Sequence, residues 1–222
     1  MSIIKANNLT KTYGSEGSIV TAVNGISFTI EEGEFVCIVG RSGSGKSTLL
    51  NLLAALDKPT SGELYFKDLD MMNMSEKQLN RFRRENMSVI FQFHHLLPYF
   101  TALENVLLPY MSGIAPINAE HRRAAENALD RVGLQDKKDR LPGQLSGGEQ
   151  QRVAIARSLC ASPDILFADE PTGSLDRETG DSVMSLLSEL NKQGLAIVMV
   201  THQEDYTKLA SKILRMQDGN II

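Results

Sequence analysis

One stretch of the chain runs Phe35-Val-Cys-Ile-Val-Gly-Arg-Ser-Gly-Ser-Gly-Lys-Ser47. Its first five residues are apolar without alternation, which is typical of a strand covered on both faces. The next eight match G-x-x-x-x-G-K-[ST], a pattern that holds phosphate groups between a strand and a helix. Glycines let backbone N–H groups turn towards phosphate oxygens, Lys46 neutralises phosphate charge, and the Ser47 hydroxyl can ligate Mg²⁺. The stretch therefore predicts an α/β fold with a nucleoside triphosphate site.

This phosphate loop is the first predicted binding site. Its backbone amides and short side chains surround the phosphates, so we expect all of its residues to contact the nucleotide. They are Gly40, Arg41, Ser42, Gly43, Ser44, Gly45, Lys46, Ser47 and Thr48. By itself the loop indicates no particular activity, because small-molecule kinases, GTPases, helicases and transport ATPases share it.

The pattern of apolar residues predicts the surrounding fold. Three further continuous apolar runs, expected to be buried strands, are 88–91, 165–168 and 195–200. Helical spacing occurs between them, at 48–56, 118–132 and 181–192. Short strand-prone pieces separated by turn residues fill the first third, at 3–6, 19–23, 26–30 and 63–67. Buried strands that alternate with helices predict a mainly parallel sheet.

Composition and charge exclude several classes of protein. The chain has 222 residues, 42% of them hydrophobic, which is enough for one domain with a full core. Its 23 Lys and Arg against 27 Asp and Glu give a net charge of −4, so we expect no nucleic-acid partner. Cys37 and Cys160 lie far apart, which favours neither a disulfide framework nor a metal site. No signal-peptide pattern opens the chain, and its longest apolar run is too short to cross a bilayer.

Polar side chains follow three of the predicted buried strands. Asp169 and Glu170 end one strand, His202 follows a second, and Gln92 follows a third. Ligands collect beyond the carboxyl ends of parallel strands, so we expect these side chains beside the phosphate loop. Asp169 is placed to hold Mg²⁺, and Glu170 is the candidate base that polarises an attacking water.

The string Leu145-Ser-Gly-Gly-Glu-Gln-Gln-Arg152 indicates a second phosphate site. Ser146 and Glu149 have the S-x-x-E spacing of a capping box, which marks the start of a helix. Gly147 and Gly148 leave the first amides of that helix open to an anion. We therefore predict that Ser146, Gly147, Gly148 and Glu149 contact phosphate.

This string beside a phosphate loop resembles the signature of the ATP-binding cassette (ABC) family, and the resemblance covers essentially the whole chain. It implies a P-loop NTPase of ABC type, with a mainly parallel core sheet, an N-terminal antiparallel β subdomain and an inserted helical subdomain. The expected single domain spans 1–222. Residues 1–95 and 162–222 would form the ATP-binding core with the β subdomain, and about 96–161 the helical subdomain that carries the signature.

The resemblance also implies roles for matching residues. Five residues take catalytic roles: Glu170 as the base, His202 as the switch histidine, Gln92 as the γ-phosphate sensor, Lys46, and Asp176, which reaches across a dimer. Three residues are implied metal ligands: Ser47, Gln92 and Asp169. Further nucleotide contacts are Tyr13, which stacks on adenine, Gln92 and His202. The implied activity is ATP hydrolysis with ATP and Mg²⁺ bound.

Partners follow from the same resemblance. Two copies would pack head to tail when ATP binds, so that the signature of each contacts, in trans, the nucleotide of the other. An integral membrane permease would bind the dimer at the cytoplasmic face of the cell membrane, and an extracytoplasmic adaptor is a further implied partner.

A narrower resemblance lies in Phe91-Gln-Phe-His-His-Leu-Leu-Pro-Tyr-Phe-Thr-Ala-Leu-Glu-Asn-Val106, in the hairpin 14–21 and in the segment 168–173. These are similar to ATPases of the lipoprotein-releasing and macrolide-export group, which includes antimicrobial-peptide exporters and a cell-division pair. Ser174 departs from that group, where Asn is common. The family docks its permease on the loop that here contains His94 and His95, although two solvated loop histidines would fit equally well.

Alternative functions remain open at this stage. An ABC importer is the alternative to export or mechanotransmission, because the ATPase subunits are alike. Chromosome and DNA-repair relatives carry long coiled coils, and no sustained heptads occur in this chain. Translation-factor relatives carry two cassettes, whereas this chain has one phosphate loop. The sequence therefore favours a transporter ATPase.

Overall fold

The computed structural model describes residues 1–14, 18–111 and 116–222. Strands and helices alternate along these ranges. In chain order they are β1 (Ser2–Tyr13), β2 (Val20–Glu31), β3 (Phe35–Gly40), α1 (Lys46–Leu53), β4 (Ser61–Phe66), β5 (Leu69–Asp70), α2 (Glu76–Asn86), β6 (Met87–Ile90), α3 (Ala102–Leu107), α4 (Ala119–Arg131), α5 (Gly147–Leu159), β7 (Ile165–Asp169), α6 (Arg177–Lys192), β8 (Ala196–Thr201), β9 (Lys212–Gln217) and β10 (Asn220–Ile221).

The core sheet has the strand order β10-β9-β3-β8-β7-β6. Neighbouring strands from β9 to β6 are parallel, and only the short β10 runs antiparallel to β9. The ends of β3, β8, β7 and β6 consequently lie side by side at one edge of the sheet. The predicted mainly parallel sheet is confirmed, and this edge is where ligands of such sheets bind.

Both faces of the core sheet are covered, which explains the continuous apolar runs in the sequence. In β3, Phe35, Cys37 and Val39 pack into a core with side chains of α3, α4, α5 and α6. Val36 and Ile38, on the other face, pack against α1 and the second sheet. Successive residues of a strand point to opposite faces, so a strand with two covered faces must be apolar throughout.

The second sheet is antiparallel, with the order β2-β1-β4-β5, and it confirms the expected N-terminal β region. The prediction of separate strands at 19–23 and 26–30 is wrong, because β2 runs through both. Leu9 pairs with Ile26 and Lys11 with Val23, so β2 holds one extra residue there. Gly25 has φ 62° and accommodates this bulge. The sequence predicted turn residues between two strands at this position. Part of the predicted hairpin 14–21, residues 15–17, lies outside the described residues.

The region between β6 and β7 is mostly helical, as expected. α5 packs against α3, α4 and α6, and Val106, Leu129 and Ile155 are fully buried among them. The subdomain limits near 96 and 161 stay a prediction. α2 was not anticipated, because Leu79 is its single buried residue, although Ser75 and Gln78 form a capping box at its start. Within the described parts of the chain, no helix is long and apolar enough to cross a membrane.

Candidate nucleotide-binding and hydrolysis site

The phosphate loop connects β3 to α1 and has the backbone form that its sequence requires. Gly45 has φ +99°, and a Cβ there would lie 2.0 Å from the carbonyl oxygen of Ala22. No side chain fits this position, so the glycine is necessary. α1 begins at Lys46, two residues before its predicted start, and Lys46 and Ser47 therefore belong to its first turn. The free amides of that turn are the anion-binding end of the helix.

The Lys46 side chain is buried in the loop, with 8% of the residue exposed. Its Nζ donates hydrogen bonds to the carbonyl oxygens of Gly40 at 2.8 Å and Arg41 at 2.9 Å. Small-molecule sites are clefts of about 300 to 1,000 Å³, and the cavity beside this loop has a volume of about 660 Å³. Its lining residues are Val20, Thr21, Ala22, Ser42, Gly43, Gly45, Lys46, Ser47, Thr48, Glu170, His202, Asp218 and Gly219.

Two side-chain contacts connect the elements that meet at this edge of the sheet. Ser47 Oγ donates to Asp169 Oδ1 at 3.3 Å, across from α1 to the end of β7. His202 Nδ1 lies 2.7 Å from Glu170 Oε2, which links the ends of β8 and β7. The strand order brings these four residues together, as the sequence predicted.

Glu170 has an unusual backbone conformation for a residue with a side chain. Its φ is +46°, in the left-handed region, which costs on the order of 1–3 kcal/mol. Two hydrogen bonds hold it there: its N–H donates to Val200 O at 3.0 Å, and its carbonyl oxygen accepts from Gly173 N–H at 2.9 Å. This turn aims the Glu170 carboxylate at the cavity, immediately after Asp169 ends the strand.

The oxygen atoms around Asp169 fit a magnesium ion. Burial raises the pKa of Asp169, the Ser47 hydrogen bond opposes this, and the nearby Glu170 charge adds to the rise. A bound cation would offset the cost of this partly buried carboxylate. Among the described residues no group of three or more His, Cys, Asp and Glu could hold a metal. Mg²⁺ needs no such group, because it binds one or two carboxylates together with substrate phosphates and water.

Gln92 lies apart from the cavity. β6 ends at Ile90, so Gln92 is the second residue beyond the strand and does not close it directly. Its side chain lies against Gly173, where an added Cβ would come within 2.9 Å of Gln92 Nε2. Its carbonyl oxygen accepts a hydrogen bond from Ser174 Oγ at 3.1 Å. The structure therefore places Gln92 against the segment that follows Glu170, and its predicted metal contact stays a prediction.

A clamp that the sequence did not reveal fixes the segment after Gln92. The fully buried amide of Gln151 donates from Nε2 to Pro171 O at 2.7 Å, and its Oε1 lies 2.6 Å from His94 Nδ1. Arg157 donates to the carbonyl oxygens of His95 at 2.8 Å and His94 at 2.9 Å. The sequence did contain one sign of this clamp. Gln151 is a polar residue on the apolar side of α5, because it is three and four positions before the buried Ala154 and Ile155.

The predicted helix start at the signature is confirmed. Ser146 is the N-cap of α5, its Oγ accepts from Glu149 N–H at 3.3 Å, and Glu149 Oε2 accepts from Ser146 N–H at 2.8 Å. Glu149 also forms an ion pair with Lys137. Gly148 packs so closely on α6 that an added Cβ would lie 2.2 Å from Thr179 Cγ2. None of the residues 146–149 lines the cavity of the same chain.

Two other predicted site residues also lie outside that cavity. Asp176 is the N-cap of α6, where it accepts from Thr179 N–H at 3.0 Å and Thr179 Oγ1 at 2.7 Å. These bonds lower the pKa of Asp176. Tyr13 ends β1 opposite Val20, a cavity residue, and is 45% exposed. A reach across a dimer and a stack on adenine stay predictions for these two residues.

A phosphate loop, an acidic strand end and a histidine on one edge of a mainly parallel sheet define a P-loop nucleoside triphosphatase. Residues 23–173 match a family model described as ABC transporter, and the chain belongs to this family. The resemblance seen in the signature is thereby confirmed. The chain is an ATPase that binds ATP, as predicted.

Proteins of known sequence or structure match the chain over nearly its full length. It is 50% identical over 220 residues to an uncharacterized ABC transporter ATP-binding protein of Methanocaldococcus jannaschii, covering 99% of this chain and 98% of that protein. It is 45% identical over 222 residues to the lipoprotein-releasing system ATP-binding protein LolD of Syntrophus aciditrophicus, with 99% of each covered. A solved ATP-binding cassette, a dimer in a post-hydrolysis state bound to ADP and Pi, superimposes with a TM-score of 0.87 at 41% identity, covering 98% and 96% of the two chains.

Proposed function

We propose that this chain is the ATPase subunit of a transporter that works by export or mechanotransmission, of the lipoprotein-releasing type. The chain powers a membrane permease, which selects the substrate, and lies peripherally at the cytoplasmic face of the membrane. Support comes from the relatives named lipoprotein-releasing system ATP-binding protein, which are 45% identical over nearly the whole chain. The segment 91–106 carries the narrower resemblance to the same group.

The single observation that carries the hydrolytic mechanism is the 2.7 Å contact between His202 Nδ1 and Glu170 Oε2 at the cavity. The Glu170 carboxylate accepts a proton from water as the water oxygen forms a bond to the γ phosphorus. The bond from that phosphorus to the β–γ bridging oxygen breaks, and ADP leaves with its electron pair. His202 keeps the carboxylate turned towards the water.

The phosphates are held by the loop and by its lysine. The amides of residues 43–48 bind phosphate oxygens, and Lys46 exchanges the carbonyl oxygens of Gly40 and Arg41 for the β and γ phosphates. Ser47 and Asp169, whose Oγ and Oδ1 atoms are 3.3 Å apart, would hold Mg²⁺. When bound, Mg²⁺ neutralises charge on the transferred phosphate.

The signature works on a second copy of the chain. Residues 146–149 do not line their own cavity. The Ser146 side chain caps the N–H of Glu149, which leaves the N–H groups of Gly147 and Gly148 at the start of α5 for an anion. The similar cassette solved with ADP and Pi is a dimer. Two copies therefore pack head to tail when ATP binds, with the signature of each on the γ phosphate of the other.

An exposed apolar surface on the segment after Gln92 is the docking site for the permease. Phe93 is 65% exposed, Leu97 41% and Tyr99 89%. Three large apolar side chains exposed within one short segment favour an interaction surface. The clamp made by Gln151 and Arg157 joins this surface to Pro171, the residue that follows Glu170.

The proposal is tested by purifying the tagged chain from membranes of its native host and identifying its partners by mass spectrometry. We expect a permease with a large extracytoplasmic domain. Recovery of an importer permease, or of no membrane protein, would overturn the transport assignment and leave the ATPase chemistry intact. A parallel measurement on Glu170→Gln tests the ATPase chemistry independently of the transport assignment. If the base is assigned correctly, this variant binds ATP but does not hydrolyse it.

A further inference from the structure

Asp57, in the loop after α1, makes an unusual set of contacts with β1. Its Oδ2 accepts a hydrogen bond from Tyr13 Oη at 2.7 Å. Its Oδ1 accepts from Lys11 Nζ at 2.6 Å and from Lys58 N–H at 2.7 Å. Lys11 Nζ also donates to Lys58 O at 2.7 Å. Both carboxylate oxygens are therefore engaged, and one side chain ties the loop after α1 to two residues of β1.

Lys11 and Tyr13 lie on the same face of β1, because they are two residues apart in a strand. Lys11 Nζ is 4.9 Å from the centroid of the Tyr13 ring, in a cation–π contact. The Lys11 side chain is 13% exposed, whereas Tyr13 keeps 45% of its surface open. The ring thus has one face against a cation, its hydroxyl tied to a carboxylate, and open surface for a ligand.

The ring stands at the rim of the nucleotide cavity. Tyr13 pairs across the sheet with Val20, which lines the cavity, as does Thr48 in the first turn of α1. Burial and the Asp57 hydrogen bond raise the pKa of Tyr13, and contact with Thr48 lowers it. The hydroxyl of Tyr13 therefore lies close both to Asp57 and to the helix that follows the phosphate loop.

We propose that Asp57 and Lys11 are positioning residues that fix the Tyr13 ring as a platform for the purine base of ATP. The inference rests on the proposed function and on the sequence prediction that Tyr13 stacks on adenine. A ring held in place before binding loses little rotational freedom when the base stacks on it, so affinity rises. The platform acts on the base and not on the phosphates, which the loop at residues 40–48 holds independently.

The test compares the affinity of the full chain for ATP with its affinity for inorganic tripolyphosphate, which has no base. Isothermal titration calorimetry gives both constants for the wild type and for Tyr13→Phe, which keeps the ring and removes only its bond to Asp57. We expect Tyr13→Phe to weaken ATP binding by about 2- to 10-fold, the effect of one hydrogen bond, and to leave tripolyphosphate binding unchanged. Lys11→Met should have the same selective effect.

Tyr65→Phe is the matched control. Tyr65 Oη donates to Glu63 at 3.3 Å on β4, away from the cavity, so the same change there should leave both affinities unaltered. In the Asp57→Ala background, Tyr13→Phe should add little further loss, because both changes remove the same contact. Circular dichroism at the titration temperature confirms that each variant is folded.

Each outcome separates the inference from the function on which it rests. If Tyr13→Ala weakens ATP binding but Tyr13→Phe and Asp57→Ala do not, the ring contacts the base and the positioning role of Asp57 is wrong. If Tyr13→Ala also binds ATP normally, the adenine contact itself is wrong. An equal loss for ATP and tripolyphosphate in Tyr13→Phe would overturn the platform, since it would show an effect on the phosphate loop.

Discussion

His202 Nδ1 and Glu170 Oε2 are 2.7 Å apart, although 32 positions in the chain separate the two residues. The contact exists because β8 and β7 are parallel neighbours in the core sheet and both end at this edge. His202 is the more exposed of the two side chains, at 59% against 24% for Glu170. His202 therefore contacts the candidate base from the solvent side of the site, where a docking partner can reach it.

Removing either member of this pair should separate binding from hydrolysis. Glu170→Gln keeps the shape of the side chain but cannot accept the proton of the attacking water, so we expect kcat to fall by about 100-fold or more. His202→Ala leaves the base in place but unoriented, with an expected loss of up to about 100-fold in kcat. Steady-state ATPase assays and nucleotide titrations check both. A Glu170→Gln variant that binds ATP and turns it over normally would show that another group is the base.

The exposed apolar surface at Phe93, Leu97 and Tyr99 should be needed for permease binding and not for ATP hydrolysis. We expect the double variant Phe93→Ser and Tyr99→Ser to lose the membrane partner in a pull-down while its ATPase rate in isolation stays near that of the wild type. Leu69→Ser, at a residue 50% exposed on β5, is the control. Normal capture of the permease by the double variant would place the docking surface elsewhere.

The capping box of α5 should make stability depend on pH through Glu149. Hydrogen bonds from Lys137 and from the Ser146 N–H lower the pKa of Glu149. A carboxylate with a lowered pKa stabilises the fold above its unfolded pKa, near 4.5, and this stabilisation disappears as pH falls through the folded value. Between about pH 5 and pH 3, Glu149→Gln should therefore lose less unfolding free energy than the wild type. Urea denaturation across this range measures it, and parallel curves for the two proteins would contradict the assignment.

Neither cysteine should react in the folded protein. Both are free and buried. Burial raises the pKa of Cys37 to about 12, and burial also raises the pKa of Cys160 against the opposing hydrogen bond of Tyr110. Thiolate is the reactive form, so at pH 8 a thiol reagent should label neither residue in native protein and both after denaturation. One rapidly labelled equivalent in the native state would mean that the sheet or α5 opens locally.

Local patterns made much of the site predictable from the sequence. The phosphate loop, the acidic strand end and the capping box at Ser146 are short contiguous strings whose chemistry depends on neighbouring residues. Because parallel strands end at the same edge, His202 and Glu170 could also be placed together before the structure was known. The left-handed φ of Glu170 could not be predicted, because glutamate has no preference for this conformation and hydrogen bonds to Val200 and Gly173 impose it.

Contacts between residues that are distant in the chain could not be predicted from the sequence. Gln151 contacts Pro171 and His94, 20 and 57 positions away, and Asp57 contacts Tyr13 across 44 positions. No periodicity in the chain indicates such pairs. The predicted break between the strands 19–23 and 26–30 failed for the opposite reason, because pairing with β1 absorbs Asn24 and Gly25 as a bulge and overrides their local preference.

The trans arrangement of the signature is the central claim, and the mass of the Glu170→Gln variant in solution tests it most directly. By light scattering, we expect the 24.5 kDa monomer without nucleotide and twice that mass with ATP. Gly147→Asp in the same background is the control: a side chain there meets nothing closer than Leu175 at 3.5 Å, and aspartate suits a helix start, but its charge opposes a γ phosphate. That double variant should bind ATP and stay monomeric. A Glu170→Gln chain that binds ATP without any change in mass, or a Gly147→Asp chain that still dimerises, would contradict the account.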